Sequence, residues 1–260
     1  DNFDLSAWRI AGVGAETIRT ESLEMFADLL APAGFDRRSF VPCYGMAECS
    51  LAVSFSPLGQ GVDVDHVDGS ALAEEQQALP LHPTQGRTMA FSNKFTHCGA
   101  PLPGFDVEIR DDAGRILPER HCGTLFVKGP SVMSGYFGDL KATREVLSPD
   151  GWLNTGDLAY RVGTSIVITG REKDLIIING RNVWPQDLEY LAEQQPEIRT
   201  GDASAFSVPG QNGEEQAVMM VQCRETDEAK RVDLQDRLHS RVRQEYGIDC
   251  LIELVPRNTL

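Results

Sequence analysis

The chain has 260 residues, of which 41% are hydrophobic and 24% are charged, an ordinary globular composition. Asp and Glu number 39 against 24 Lys and Arg. The resulting net charge of −15 argues against a surface for nucleic acid or for an anionic membrane. No apolar run reaches the roughly 18 residues of a membrane span, and we expect no signal peptide at Asp1. None of the six cysteines forms a Cys-x-x-Cys pair, so a zinc site or a disulfide framework is not expected. We therefore expect reduced thiols in a cytoplasmic protein.

In chain order, the first predicted elements are a strand and a helix. Trp8–Val13 is a short apolar run followed by Gly14-Ala15-Glu16. Ser22–Ala31 is predicted as an amphipathic helix, and Gly34 is placed to end it. The apolar stripe of this helix comprises Leu23, Phe26, Leu29 and Leu30.

The next segment combines a strand with a long irregular stretch. Phe40–Cys43 is predicted as a strand that leads into Tyr44-Gly45-Met46-Ala47-Glu48, with a helix continuing through Ser54. Residues 56–90 are less regular, apart from a helical patch at Ala71–Ala78. A stretch of this length without regular structure is usually functional or an insertion.

Short strands are predicted in the middle of the chain. Thr96–Ile109 and Gly123–Gly129 alternate apolar and polar residues between turn-forming residues, as in a small distorted β-barrel. The loop Pro130–Tyr136 follows, for which we expect a structural role. Ala142–Val146 is predicted as a short helix.

The most informative stretch runs from Trp152 to Pro185, with a turn at Val162–Ser165. Asp157 stands in Thr-Gly-Asp-Leu, where its carboxylate could accept both hydroxyls of a ribose. Arg171, in Gly-Arg, is predicted to close a hairpin and offers fixed donors for a phosphate or ribose oxygen. The alternatives are that Asp157 is a turn residue and Arg171 a surface charge. Leu175–Ile178 is one apolar run, as in a buried strand.

The last part of the chain is predicted to form a small α+β unit. Pro185 begins a helix in which Leu188 and Leu191 face inward. A second helix ends at Gly247. Its inward positions are Leu234, Leu238, Val242 and Tyr246. Strands are predicted at Ala203–Val208, Ala217–Cys223 and Cys250–Val255.

These motifs together resemble the adenylate-forming (AMP-binding) superfamily, which includes acyl-CoA synthetases, peptide-synthetase adenylation domains, luciferases and fatty acyl-AMP ligases. The matching segments are Gly-Ala-Glu, Tyr-Gly-x-x-Glu, and Thr-Gly-Asp followed by Gly-Arg-x-x-Asp. The resemblance implies that Asp157 holds the ribose hydroxyls and that Arg171 contacts the nucleotide. It also implies that ATP or AMP is bound near the remaining motif positions: Gly14, Ala15, Glu16, Tyr44, Gly45 and Met46.

Two further roles follow from the same resemblance. Glu48 would bind the Mg²⁺ that bridges the phosphates, and so serve both metal binding and catalysis. One protein carboxylate is chemically enough for this ion, because Mg²⁺ keeps several water ligands. An ordinary acid near a helix N-terminus is the alternative for Glu48. Lys173 would be the hinge between a large and a small domain.

The fold implied is α/β followed by α+β. Residues 1–170 would form the end of the large AMP-binding domain, with a mixed sheet, a small distorted barrel and an insertion at about 56–90. Residues 171–260 would form a small C-terminal domain that stops before the loop carrying the family's catalytic lysine. The family's Ser/Thr/Gly-rich phosphate loop is also missing, so the fragment alone is expected to be inactive.

Two features favour the fatty acyl-AMP ligases within the superfamily. One is the insertion, and the other is the sequence Gly180–Glu189, which reads GRNVWPQDLE. The implied reaction joins a fatty acid to AMP from ATP. The implied acceptor is an acyl carrier protein or a carrier domain of a polyketide or peptide synthase. The alternatives are a long-chain acyl-CoA synthetase and, in another class, a non-catalytic nucleotide- or acyl-binding protein.

Overall fold

The computed structural model describes residues 3–81, 92–178, 180–210 and 215–260. These residues form two compact units. One comprises residues 3–72, 76–81 and 92–172, and the other comprises residues 73–75 and the described residues from 173 to 260.

Five α-helices occur among the described residues, in chain order: α1 (Thr20–Leu30), α2 (Gly69–Glu75), α3 (Leu140–Val146), α4 (Pro185–Glu193) and α5 (Glu228–Tyr246). The strands of the first unit are β1 (Ala11–Val13), β2 (Phe40–Gly45), β3 (Ala52–Phe55), β4 (Val64–Asp68), β5 (Ser92–Thr96), β6 (Ala100–Pro101), β7 (Asp106–Arg110), β8 (Gly123–Lys128), β9 (Leu153–Val162) and β10 (Ser165–Arg171). Those of the second are β11 (Ile176–Ile178), β12 (Arg181–Val183), β13 (Ala203–Pro209), β14 (Glu215–Gln222) and β15 (Cys250–Val255).

A mixed sheet of order β1-β2-β3-β6 opens the first unit. β1 and β2 are parallel, whereas β2 and β3 are antiparallel with a register shift between Tyr44 and Gly45. The prediction of a helix after Glu48, continuing through Ser54, is therefore wrong. A single 3-10 turn, Ala47–Cys49, ends at Ser50 with φ +67°, and β3 follows. β3 pairs with both β2 and β6, and its two central residues, Val53 and Ser54, are each 0% exposed.

Helix α1 packs on this sheet through three of the four residues predicted for its apolar stripe, together with Ala27. Ala27 is 2% exposed, and Leu23 and Leu30 join it against Phe40. Of the four predicted stripe residues, Leu29 is 75% exposed and lies outside the core. Phe26 is 38% exposed, but its ring centroid lies 5.9 Å from that of the buried Phe40. Leu23, Ala27 and Leu30 follow the helical period of three and four residues, which centres the buried face on Ala27.

The second sheet is an antiparallel meander of order β10-β9-β8-β7. In the part of the chain that the structure describes, β7 and β10 remain its edges, so the predicted barrel does not close. The backbone N–H of Cys98 donates to the carbonyl of Ile166, at 2.9 Å, and covers part of the β10 edge. Leu125, Leu153 and Ile166, each 0% exposed, form the core beneath this sheet.

In the described part of the stretch predicted to be irregular, residues 56–81, there is a strand that periodicity did not reveal. β4 pairs with β5, and α2 begins directly after β4. Asp68 accepts hydrogen bonds from the N–H groups of Ser70 and Ala71, which caps α2. Residues 82–90 of the expected insertion lie outside the described residues.

The second unit agrees closely with the sequence pattern. β13, β14 and β15 form one sheet, with β14 antiparallel to β13 and parallel to β15. Leu188 in α4 and Leu238 in α5 are 0% exposed within its core. Helix α5 ends where Gly247 adopts φ +68°, as predicted. No helix among the described residues is long and apolar enough to cross a membrane.

Candidate nucleotide site

Asp157 is held by the backbone turn that precedes it on β9. Thr155 Oγ1 donates to the carbonyl of Leu125, at 2.8 Å, and accepts the backbone N–H of Asp157, at 3.1 Å. Gly156 between them has φ +70°, a conformation that glycine adopts without a steric penalty. The Thr-Gly-Asp sequence thus fixes the direction of one carboxylate, which is 7% exposed.

Two side chains from other strands meet this carboxylate. Tyr44, at the end of β2, donates its hydroxyl to Asp157 Oδ2 at 2.6 Å. Arg171, at the end of β10, has its Nε 3.3 Å from Oδ1. A register shift between Ile168 and Gly170 places Arg171 opposite Asp157 in the sheet. The hairpin turn lies between Val162 and Ser165, where the sequence predicted a turn, and Arg171 ends the second strand of that hairpin.

Burial and charge oppose each other at Asp157. Burial raises the pKa of its carboxyl, whereas the Tyr44 hydroxyl and the Arg171 charge lower it, and the nearby Glu48 carboxylate raises it. Burial, together with the charge of Asp157, raises the pKa of Tyr44, so its phenol remains a proton donor at neutral pH. The arrangement is a buried acceptor supported by one neutral and one cationic donor.

Glu48 lies in the 3-10 turn after Tyr44 and is partly exposed. Its Oε1 accepts the hydroxyl of Tyr136 at 2.8 Å, and its backbone carbonyl accepts the N–H of Met133 at 2.7 Å. Because no α-helix begins here, the alternative of a helix N-terminal acid does not apply. The loop Pro130–Tyr136 thus contributes a side-chain contact, in addition to the structural role expected of it.

Two motif glycines are required by the protein's own backbone. A Cβ at Gly45 would lie 1.8 Å from the carbonyl oxygen of Leu51, and one at Gly14 would lie 2.7 Å from that of Cys43. Ala15 adopts φ +73°, and Glu16 beside it is exposed. These residues follow β1, which pairs with β2 at Val13 and Pro42, so they lie at the same end of the sheet as Tyr44.

Four of the predicted site residues are linked by contact or by charge: Tyr44, Glu48, Asp157 and Arg171. Met46 packs partly buried beneath them, with its sulfur 3.9 Å from the Tyr44 hydroxyl. Lys173 lies in the 3-10 turn Glu172–Asp174 and is exposed. Sequence reasoning missed Tyr136 and the hydroxyl of Tyr44 as carboxylate partners, because neither contact leaves a local signal.

The family of AMP-binding enzymes has a model that matches residues 1–137, more than half of the chain. A putative acyl-CoA synthetase of Caulobacter vibrioides is 43% identical over 261 residues, which cover 100% of this chain and 45% of the relative. The medium-chain-fatty-acid–[acyl-carrier-protein] ligase JamA of Moorena producens is 34% identical over 245 residues, covering 90% of this chain and 40% of the relative.

A solved structure from work on fatty acyl-adenylate ligases of E. coli and L. pneumophila has the same fold. It superposes with a TM-score of 0.90 at 45% identity, covering 99% of this chain and 45% of that one. The chain thus spans less than half the length of the relatives it matches. The family match, the shared fold and the signature motifs agree, and the chain belongs to the AMP-binding, adenylate-forming enzyme family.

Proposed function

We propose that this chain is the nucleotide-binding portion of a fatty acid–AMP ligase. The observation that carries the proposal is the buried carboxylate of Asp157, which is held by Tyr44 and Arg171 and lies close enough to Glu48 for their charges to interact. A buried carboxylate with donors on both oxygens is arranged to accept hydrogen bonds from a diol such as ribose. Support also comes from the fatty acyl-adenylate ligase structure, which matches nearly the whole chain.

In the proposed reaction a fatty acid carboxylate oxygen forms a bond to the α-phosphorus of ATP. The bond from that phosphorus to the bridging oxygen breaks, and pyrophosphate leaves. Asp157 holds the ribose and Arg171 contacts the nucleotide, so that the phosphate chain is oriented for in-line attack. Lys173 is the proposed hinge for the later acyl transfer. We place the reaction in the cytoplasm, because the six cysteines are all unpaired and thiols stay reduced there.

Glu48 is the residue that would hold Mg²⁺. The described residues contain no group of three or more His, Cys, Asp or Glu that could enclose a metal. A single partly exposed carboxylate oriented by Tyr136 nevertheless fits Mg²⁺, which binds through one or two carboxylates, waters and substrate phosphates. When bound, the ion would offset the negative charge of the phosphates.

The proposed acyl acceptor is the phosphopantetheine thiol of a carrier protein. The relative named as an acyl-carrier-protein ligase and the GRNVWPQDLE sequence support it. The relative named as a putative acyl-CoA synthetase favours free CoA instead. Incubating the full-length gene product with fatty acid and ATP, and with either CoA or a holo-carrier protein, separates the two. Efficient formation of acyl-CoA would overturn the carrier assignment.

The ribose assignment is tested by Asp157→Ala in the full-length gene product. Loss of hydrogen bonds to a charged group should cost about 1.5–3 kcal/mol, which corresponds to a roughly ten- to hundredfold lower kcat/KM for ATP. Fatty acid-dependent exchange between ATP and pyrophosphate measures this change.

Asp112→Ala is the matched control, because Asp112 is an exposed carboxylate in the same compact unit. It should leave ATP kinetics unchanged. Wild-type ATP kinetics in Asp157→Ala would remove the ribose role of Asp157 and with it the main support for the proposed function.

A further inference from the structure

The ring of Tyr44 is packed inside the protein. Tyr44 is 9% exposed and belongs to the same buried cluster as Val53 and Cys98. Its hydroxyl, in contrast, reaches across from β2 to β9 and donates to Asp157 at 2.6 Å, within the short range of hydrogen bonds to a charged oxygen.

Asp157 needs such a donor, because burial alone favours the protonated carboxyl. A protonated carboxyl carries no charge and has a hydrogen of its own to donate. It could then no longer act as a charged acceptor of hydrogen bonds from both hydroxyls of a diol. Arg171 also supports the charged form, but its side chain is 57% exposed and only its Nε lies near Oδ1, at 3.3 Å. The buried Tyr44 hydroxyl is therefore the fixed partner, and Arg171 the more exposed one.

We infer that Tyr44 is a positioning residue, whose hydroxyl fixes the Asp157 carboxylate so that its remaining lone pairs accept the ribose hydroxyls. This inference rests on the proposed nucleotide function of Asp157. Each carboxylate oxygen accepts more than one hydrogen bond, so Oδ2 can serve Tyr44 and a ribose hydroxyl together. The Tyr44 hydroxyl then acts on the sugar through the Asp157 carboxylate.

The test uses Tyr44→Phe, which keeps the ring and removes only the hydroxyl. Affinities are measured in the full-length gene product for AMP and for 2′,3′-dideoxy-AMP, which lacks both ribose hydroxyls. We expect Tyr44→Phe to weaken AMP binding roughly tenfold, because a hydrogen bond to a charged group is lost, and to leave binding of the dideoxy analogue unchanged.

The pH dependence provides a second measurement that a purely structural role would not produce. The Tyr44 hydroxyl lowers the pKa of the Asp157 carboxyl, so its removal raises that pKa further. Asp157 then becomes protonated at a higher pH, and AMP affinity should decline at a higher pH than in the wild type as the solution is acidified. Affinity for the dideoxy analogue should show no such shift.

Two variants separate failure of this inference from failure of the proposed function. If Asp157→Ala retains the wild-type preference for AMP over the dideoxy analogue, the ribose role of Asp157 fails. Alternatively, Asp157→Ala loses that preference, while Tyr44→Phe keeps it and loses AMP affinity at the same acidic pH as the wild type. In that case only the positioning role of Tyr44 is overturned. Equal weakening of both ligands by Tyr44→Phe would also overturn it, because the ring or the local fold would then be responsible.

Tyr190→Phe is the matched control, since Tyr190 is 45% exposed on α4, and it should leave both affinities unchanged. Should Tyr44→Phe fail to fold, 3,5-difluorotyrosine at position 44 keeps the hydroxyl and makes it a stronger donor. The pH at which AMP affinity declines on acidification should then be lower than in the wild type. An unchanged pH for this decline would overturn the inference.

Discussion

At the scale of single residues, the candidate site places a charge where the fold does not favour one. Asp157 is 7% exposed, and burial raises the pKa of its carboxyl above the ordinary value of 3.8 despite two donors. Its ionised form is thus less favourable in the folded protein than in the unfolded chain. A carboxylate selected for stability alone would lie at the surface, so its burial is an argument for a binding role.

This cost to stability predicts a pH-dependent effect of Asp157→Asn. The folded-state pKa is raised, so the unfolded chain releases this proton first and stability falls as pH rises through the two pKa values. Asparagine carries no charge and can still accept the Tyr44 hydroxyl. We therefore expect Asp157→Asn to unfold at a higher urea concentration than the wild type at pH 7.

The difference should shrink as the pH falls towards and below 3.8, the ordinary value for this carboxyl, because the wild-type Asp157 is then protonated too. Asp112→Asn, at an exposed site, should show no difference at either pH. A lower urea midpoint for Asp157→Asn than for the wild type at pH 7 would contradict the expectation.

Residue types at the site could be predicted from the sequence, but their partners could not. Asp157, Glu48 and Arg171 stand in short motifs that name them directly. Tyr44 and Asp157, however, are 113 residues apart, and only the folded sheet brings the hydroxyl to the carboxylate. Tyr136 and Glu48 are 88 residues apart, which hid their contact in the same way.

At the scale of elements, a buried polar contact joins β4 to β9. Tyr160 is 0% exposed, and its hydroxyl donates to Asp65 Oδ2 at 2.9 Å. Arg120 Nη1 donates to the same oxygen at 3.0 Å. Asp65 is 8% exposed, so it depends on these donors in place of water. Through this contact β4, a strand that the sequence did not predict, is anchored to the meander.

We expect Tyr160→Phe to lower the free energy of unfolding by about 1–3 kcal/mol, because Asp65 keeps Arg120 but loses one donor in a buried position. Urea unfolding monitored by circular dichroism measures the change. Tyr190→Phe, at a residue 45% exposed, should stay within about 0.5 kcal/mol of the wild type. Equal stability of the two variants would show that the hydroxyl of Tyr160 contributes nothing to anchoring β4.

Elements whose apolar residues repeat with a regular helical or strand spacing could be predicted from the sequence. Elements that depend on which strands pair in the folded protein could not. Helix α5 repeats Leu234, Leu238 and Val242 at four-residue spacing, and all three are buried. The segment after Glu48 is too short to show a period, so the choice between helix and strand depended on pairing with β2. The predicted barrel stayed open for a related reason, since alternation reveals strands but not how a sheet ends.

At the scale of the whole molecule, each compact unit has a core of its own. The core of the second unit includes Leu188, Leu234 and Leu238, whereas Leu125 and Leu153 lie in the core of the first. A lesion in one core is therefore expected to act mainly within its own unit.

Leu238→Ala tests this expectation. Removing a side chain that is 0% exposed should cost about 2–5 kcal/mol in the second unit. Hydrogen exchange followed by mass spectrometry should show faster exchange in α4, α5 and β13 to β15, with β8 and β9 unchanged. Leu251→Ala, at a residue 42% exposed, is the control and should change little. Equal acceleration in β8 and β9 would show that the two units unfold as one.

The thiols offer an experimental consequence. Five of the six cysteines are buried, and Cys43 alone is partly exposed. It precedes Tyr44 in β2, and its sulfur would lie 2.9 Å from a Cβ placed at Gly14. Burial raises the pKa of the Cys43 thiol, so its alkylation at neutral pH should be slow and should accelerate in mild alkali. The protein thus carries a native attachment point for a fluorophore beside its candidate site, and nucleotide occupancy can be followed by optical labelling without any engineered cysteine.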